Sequence, residues 1–150
     1  MSNVPTGIAA TKEWFARAVP KPTQKNIHTQ TGVHLEEVAE FIASLHGTNE
    51  VTRFRLDAAL QTLRDLSQHL KKNDDVLEFN DANETLDGLL DQIVTATGVA
   101  HMLNYDVVGG LDEVNRSNYS QFVDGQPLFD ENRKIKKGPQ YSRPDLTPYR

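Results

Sequence analysis

The amino-acid sequence predicts an all-α fold, an antiparallel bundle of about four to five helices followed by an irregular C-terminal arm. Apolar residues recur at helical spacing over long segments, proline, glycine or Asn-Asp turns separate these segments, and the body of the chain shows no alternating strand pattern. A chain of 150 residues is long enough to bury a core. We assign residues 1–124 to a helical domain and residues 125–150 to a basic arm that packs on this domain or extends from it.

The first half of the chain contains three predicted helices. A short helix over residues 13–19 is ended by prolines, and a second helix runs over residues 24–46 with Gly47 as its C-cap. A third helix covers residues 50–72 and ends at an Asn-Asp-Asp turn. Each of the two longer segments carries leucine, valine and phenylalanine at helical spacing, which predicts a core-facing side.

The second half contains two further predicted helices. Asp81 is typical of an N-cap and opens a helix rich in apolar residues that runs to about Asn104. The last helix covers residues 111–120, after a break at Gly109-Gly110. Four prolines after residue 125 exclude a helix there, so we expect a loop or a small hairpin.

Composition narrows the class of protein. The chain has no cysteine, which excludes disulfides and thiolate metal sites, and no apolar run approaches the roughly 18 residues that cross a bilayer. The first ten residues do not resemble a signal peptide, so we expect a cytoplasmic protein that does not enter membranes. The 37% apolar content is low for a self-sufficient monomer and favours an oligomer.

Charge is distributed unevenly along the chain. From Arg133 onward six basic residues oppose Asp145 alone, which gives +5, and the rest of the chain carries −10 to reach the net −5. An acidic body favours cation binding, and a basic arm favours contact with anions. Solubility alone could also account for this balance.

Carboxylates flank the apolar positions of the second helix. Glu37 and Glu40 are three residues apart, hence one turn apart along the helix, and Glu36 flanks the same column. Like charges at this spacing repel each other by a few tenths of a kcal/mol even when they are exposed. Taken singly, each of these acids could be a solvated surface residue.

The fourth helix repeats the arrangement with Glu84, Asp87 and Asp91. If the two acidic columns face each other across a bundle, their repulsion rises steeply unless a cation neutralises it. Hard divalent cations prefer oxygen ligands, and Mg²⁺ combines a few carboxylates with waters and substrate phosphates. The joint pattern therefore predicts a divalent-cation site, although Glu84 could also serve a capping box.

Competing chemistries lack their motifs. A di-iron carboxylate bundle uses Glu-x-x-His pairs, and none of the five histidines has a glutamate three residues before it. The chain also contains no phosphate-binding GxxxxGK[ST] loop, no GxGxxG turn and no GxSxG serine motif.

The acidic motifs resemble a known signature. Residues 36–40 (EEVAE) followed by residues 84–87 (ETLD) are similar to the EExxE…ExxD signature of the all-α nucleotide pyrophosphohydrolases, which include MazG, the dimeric dUTPases, dCTP pyrophosphatase and phosphoribosyl-ATP pyrophosphohydrolase. Residues 113–118 (EVNRSN) resemble the last-helix segment of these proteins. Residues 134–139 (KIKKGP) and 144–146 (PDL) are similar to phage-encoded, phosphoribosyl-ATP-pyrophosphohydrolase-like members.

The resemblance spans residues 24–147 and implies a set of site residues. The implied ligands of Mg²⁺, which Mn²⁺ could replace, are the acids of the two helices: Glu37, Glu40, Glu84, Asp87 and Asp91. The implied catalytic carboxylates are Glu36 and Glu37, and either Glu36 or Asp91 could instead hold a second ion or orient the attacking water. The implied substrate contacts are polar and basic residues of the last helix and the arm: Asn115, Arg116, Asn118, Lys136 and Lys137.

The resemblance also implies an activity and an assembly. The activity would be hydrolysis of a nucleoside triphosphate to a monophosphate and pyrophosphate, in a homo-dimer or tetramer, in the host cytoplasm if the chain is phage-encoded. One alternative is a non-catalytic helical module that binds nucleotides or a protein partner. A nucleic-acid binder using the basic arm is disfavoured, because the acidic body would repel a duplex.

Overall fold

The structure is a computed structural model that describes residues 5–130 and 135–150. It confirms the all-α prediction: within these residues the chain forms five α-helices and a short 3-10 turn at Thr147–Tyr149, and its β-pairing is limited to two isolated bridges. The helices are α1 (Gly7–Ala18), α2 (Gln24–Ala43), α3 (Glu50–Lys72), α4 (Ala82–Met102) and α5 (Val107–Tyr119). The described residues of the arm, 125–130 and 135–150, are irregular apart from the short 3-10 turn, as predicted.

The chain forms two compact units. One, the hairpin unit, is Lys21–Asn80 and contains α2 and α3; the other, the terminal unit, joins Met1–Pro20 to Asp81–Arg150. The predicted division at residue 125 stays a prediction. In the structure the described part of the arm groups with α1, α4 and α5 in the terminal unit.

The end of α2 differs from its prediction. The helix stops at Ala43 with Ser44 as the C-cap, so the predicted end at residue 46 and cap at Gly47 are wrong. The Ser44 hydroxyl donates to the carbonyl of Phe41 at 2.6 Å, which satisfies one of the carbonyls left open at a helix end. Gly47 instead lies in the turn to α3, where a Cβ would stand 2.6 Å from the backbone nitrogen of Arg53.

The start of α5 also differs. The helix begins at Val107, because Asp106 caps it through a bond from the Gly109 amide at 2.9 Å, so the predicted break at Gly109-Gly110 lies inside the first turn. A Cβ on Gly109 would stand 2.7 Å from the ring of Tyr149. The glycine pair therefore permits close approach of the arm and does not interrupt the helix.

The remaining helix bounds are closer to expectation. Helix α1 starts six residues earlier than predicted, at Gly7, and α4 ends two residues earlier, at Met102. Helix α3 has the predicted bounds, with Asn49 as its N-cap.

In the hairpin unit, α2 and α3 pack closely as an antiparallel pair. A Cβ on Gly32 of α2 would stand 2.8 Å from the carbonyl oxygen of Ser67 on α3, so only glycine fits at this crossing. His28 is fully buried, and its Nε2 accepts hydrogen bonds from the amides of Val76 and Leu77 at 3.0 Å each. His28 thereby fixes the segment that follows α3 onto α2.

In the terminal unit, polar contacts join α1 to α5. The Gly7 amide donates to Asp112 Oδ1 at 2.7 Å, and the Tyr119 hydroxyl donates to the carbonyl of Ala10 at 3.0 Å. Next to these bonds, the ring of Trp14 stacks on Phe122 with ring centres 5.9 Å apart. These contacts hold α5 in a fixed orientation relative to α1.

Candidate metal and substrate site

Glu37 and Glu40 project from an exposed side of α2. The face of α2 that packs on α3 carries the buried residues Gly32 and Ala39, and both carboxylates lie away from it. No lysine or arginine in residues 5–130 and 135–150 forms an ion pair with either of them. Glu36, by contrast, pairs with Lys71 of α3 at 2.8 Å.

Glu37 is electrostatically perturbed. Its side chain is exposed overall, but partial shielding of the carboxylate from solvent raises its pKa, and the negative charges of Glu40 and Glu36 raise it further. His34 acts in the opposite direction. Glu37 therefore lies in a field that disfavours its charged form, which is the repulsion that the spacing predicts.

The acids of α4 are also exposed. Asp81 is the N-cap, as predicted, and its carboxylate accepts bonds from the amides of Asn83 and Glu84. Glu84 lies in the first turn, where the helix dipole stabilises a negative charge. Asp87 and Asp91 continue the same stripe along the helix.

The predicted ligands are distributed over both units. Glu37 and Glu40 belong to the hairpin unit, whereas Glu84, Asp87 and Asp91 belong to the terminal unit. Over the described part of the chain, no three or more histidine, aspartate or glutamate side chains are grouped closely enough to hold a metal ion. The convergence of all these acids on one ion stays a prediction.

Asn115, a predicted substrate contact, has structural partners. Its side chain is buried, its Oδ1 accepts from the Thr11 hydroxyl at 2.8 Å, and its Nδ2 donates to the carbonyl of Gly7 at 2.9 Å. Both polar atoms of the amide are thus used to bind α1. A substrate could reach Asn115 only after these bonds open.

Arg116 is likewise engaged. Two of its nitrogens donate to the carboxylate of Glu113 at 2.7 Å, and two nitrogens reach the arm at the hydroxyl of Ser142 and the carbonyl of Arg143. Bonds from Arg116 and from the Asp145 amide lower the pKa of Glu113 to about 2, so this carboxylate stays charged. The guanidinium fastens the arm to α5.

The other predicted substrate contacts are more open. The Asn118 carbonyl accepts from the Trp14 indole at 3.0 Å, and the amide side chain of Asn118 is half-buried. Lys136 is exposed, and Lys137, also exposed, lies over the ring of Tyr141 at 4.5 Å from its centre. These two lysines present positive charge to solvent.

Sequence reasoning missed the residues that attach the arm. The amide of Ser142 donates to the Ser120 hydroxyl at 3.0 Å, and its carbonyl accepts from the Ser117 hydroxyl at 2.9 Å. Serines at the end of a helix give no pattern that distinguishes docking from solvation. The sequence also did not indicate a cavity of about 200 Å³ at the α2–α3 turn, which His46, Arg53 and other residues of the turn line.

Comparisons of the chain with family models, with curated proteins and with solved structures found no match. The resemblance to the all-α nucleotide pyrophosphohydrolases therefore rests on the motifs quoted above. Among the helices of the described residues, none is long and apolar enough to cross a membrane.

Proposed function

We propose that this chain is a metal-dependent nucleoside triphosphate pyrophosphohydrolase that releases pyrophosphate and a nucleoside monophosphate. The observation that carries the proposal is the exposed pair Glu37 and Glu40, which lie one helical turn apart. In the described parts of the chain they have no lysine or arginine partner, and the pKa of Glu37 is raised in part by its acidic neighbours. A divalent cation would relieve this repulsion.

The donor set fits Mg²⁺, with Mn²⁺ as a substitute. All candidate ligands are carboxylates, which are the hard oxygen donors that Mg²⁺ prefers, and their exposure leaves room for water and phosphate. Glu37 and Glu40, one turn apart on α2, would hold the ion; the resemblance implies Glu84, Asp87 and Asp91 as further ligands. A bound ion supplies a water of lowered pKa and neutralises charge on the bridging oxygen of the triphosphate.

The protein's own side chains would supply proton transfer, positioning and attraction of the substrate. Glu37, an exposed carboxylate on the same turn of α2, would accept a proton from the attacking water. Glu36 is held by Lys71 and would position this turn of α2. Lys136 and Lys137 would attract the triphosphate, since they are exposed.

The bonds of two residues in the last helix support a positioning role for them. Asn115 binds α1 and Arg116 binds Glu113 and the arm, so we propose that they position α5 and the arm, while Asn118 stays available for substrate. We further propose that the enzyme acts in the cytoplasm as a homo-dimer or tetramer.

Pyrophosphate release tests the proposal. The purified chain is incubated with a panel of ribo- and deoxyribonucleoside triphosphates, with Mg²⁺, with Mn²⁺ or with chelator, and pyrophosphate and monophosphate are quantified. We expect metal-dependent release of pyrophosphate from at least one triphosphate. Glu40→Gln should abolish this release, and the control Glu78→Gln, at another exposed glutamate, should retain it. Circular dichroism verifies that both variants keep their helices.

Two results would overturn the proposal: no pyrophosphate from any triphosphate with either metal, or full release by Glu40→Gln. The internal bonds of Asn115 and Arg116 favour one second candidate, a helical module that binds nucleotides without turnover. Equilibrium dialysis that shows metal-dependent nucleotide binding without hydrolysis would support that candidate.

A further inference from the structure

Helix α4 exposes more apolar surface than a helix in water normally does. None of its residues is buried, although it is rich in leucine, isoleucine and valine. Six large apolar side chains of the helix and its C-cap expose 43% to 57% of their surface: Leu86, Leu89, Leu90, Ile93, Val99 and Leu103. Val94 and Met102, elsewhere around the helix, expose 66% and 85%. Contiguous apolar patches of this extent mark interaction sites.

The apolar residues of α4 follow a heptad repeat. Positions three and four residues apart form a continuous line, which we call the α4 seam: Leu86, Leu89, Ile93, Ala96, Ala100 and Leu103. The positions that flank this seam are Thr85, Leu90, Gln92, Thr97 and Val99, and none of them is charged. The acids Glu84, Asp87 and Asp91 lie on the opposite side of the helix.

We propose that the α4 seams of two copies of this chain pack against each other in antiparallel orientation about a two-fold axis. In this register Leu86 lies opposite Leu103 of the second copy. Leu89 lies opposite the second copy's Ala100, and the same geometry pairs Ile93 with Ala96. A two-fold interface requires this reciprocity: if a residue of the first copy contacts a given residue of the second, the same two residues are also in contact with the copies interchanged.

The distribution of side-chain size favours a second copy as the occupant. The large residues of the seam are concentrated in its first half and the small residues, Ala96 and Ala100, in its second half. Antiparallel pairing sets a large residue against a small one in two of the three layers. Parallel pairing would instead set alanine against alanine and leave gaps, which well-packed interfaces avoid.

Area and charge agree with this assignment. The six exposed apolar side chains are the four large residues of the seam and its neighbours Leu90 and Val99. If each exposes roughly 100 Å², two copies would bury on the order of 1,200 Å², at the lower end of specific interfaces. Because the acids of α4 lie opposite the seam, pairing brings no carboxylates together and leaves Glu84 and Asp87 open to a cation.

This inference rests on the homo-oligomer of the proposed function and specifies its interface. Its test measures mass and crosslinking, whereas the pyrophosphohydrolase proposal is tested by pyrophosphate release, so either proposal can fail without the other. Analytical ultracentrifugation of the full chain at micromolar concentration should give twice 16.8 kDa, or a higher even multiple. Ile93→Glu should halve that mass, so that a dimer becomes a single chain. The control Val94→Glu, which places the same charge one residue off the seam at a side chain 66% exposed, should leave the mass unchanged.

Cysteine crosslinking tests the orientation, because the natural chain has no cysteine. Under mild oxidation, a mixture of Leu89→Cys and Ala100→Cys chains should form covalent heterodimers. Leu86→Cys alone should not crosslink, since antiparallel copies hold this position roughly 25 Å apart. A monomeric wild-type chain, an Ile93→Glu variant of unchanged mass, or efficient Leu86→Cys crosslinks would each overturn the proposal.

Discussion

Replacement of Asn115 by alanine separates a structural role of this residue from a role in substrate binding. The amide joins α5 to α1 through two hydrogen bonds, one from the Thr11 hydroxyl at 2.8 Å and one to the Gly7 carbonyl at 2.9 Å. Alanine removes both bonds and leaves the Thr11 hydroxyl only its longer bond to the Gly7 carbonyl, at 3.3 Å, in a partly buried place. We therefore expect Asn115→Ala to lower the free energy of unfolding.

The size of the effect follows from these bonds. Each contributes about 1 kcal/mol net, so their loss costs about 2 kcal/mol. Alanine is a better helix former than asparagine and returns about 0.5 kcal/mol, which leaves a loss of about 1.5 kcal/mol. For a chain of this length the midpoint of thermal unfolding should fall by roughly 3–6 °C.

The matched control for this substitution is Asn118→Ala. Asn118 lies in the same helix and receives the Trp14 indole through its backbone carbonyl, which the substitution keeps. Urea denaturation followed by circular dichroism should give a lower midpoint for Asn115→Ala and a wild-type or slightly higher midpoint for Asn118→Ala. If the two variants differ by less than about 0.5 kcal/mol, the amide of Asn115 does not hold α1, and its bonds to α1 are energetically unimportant.

Three other substitutions give separate expectations. Because the pKa of Glu37 is raised in the folded protein, the free energy of unfolding should fall as pH rises through that pKa. Glu37→Gln should reduce this fall and stabilise the protein by a few tenths of a kcal/mol at neutral pH. We also expect Mg²⁺ to raise the thermal midpoint of the wild-type chain, and Glu37→Gln to lose this rise. Gly109→Ala should loosen the arm at Tyr149 and lower the free energy of unfolding by about 1–3 kcal/mol, which faster proteolysis of the arm would reveal. The control Gly98→Ala, at a glycine with open space around it, should be neutral or stabilising. Lys136→Ala should raise KM with kcat unchanged in steady-state kinetics; a fall in kcat would place this lysine at the reacting phosphate.

The sequence predicted those features that depend on local patterns. Helix α3 has its predicted bounds, and Asp81 caps α4 as expected, because a capping bond involves residues only two or three apart. The column formed by Glu37 and Glu40 could also be predicted from the sequence, since a helix fixes the relation of residues three apart. Shielding from solvent and then the charge of Glu40 raise the pKa of Glu37.

Features that depend on distant partners could not be predicted. Gly109 was interpreted as a helix break because nothing local reveals that Tyr149, forty residues later, approaches its α-carbon. The resemblance assigned Arg116 to the substrate, and a guanidinium suits phosphate and carboxylate equally well. Its pairing with Glu113, three residues earlier on the same helix, is local, but its bonds to Ser142 and Arg143 of the arm appear only in three dimensions.

The division of the chain has a consequence for the order in which it folds during synthesis. The hairpin unit is continuous, so α2 and α3 can pair soon after residue 80 has left the ribosome. The terminal unit is different, because the bond between Gly7 and Asp112 closes a loop of 105 residues. Helix α1 must therefore wait, without its packing partner, until α5 has been made, and closure of so long a loop slows folding. We expect ribosome-bound chains halted before α5 to protect the hairpin unit from protease and to leave α1 open to cleavage.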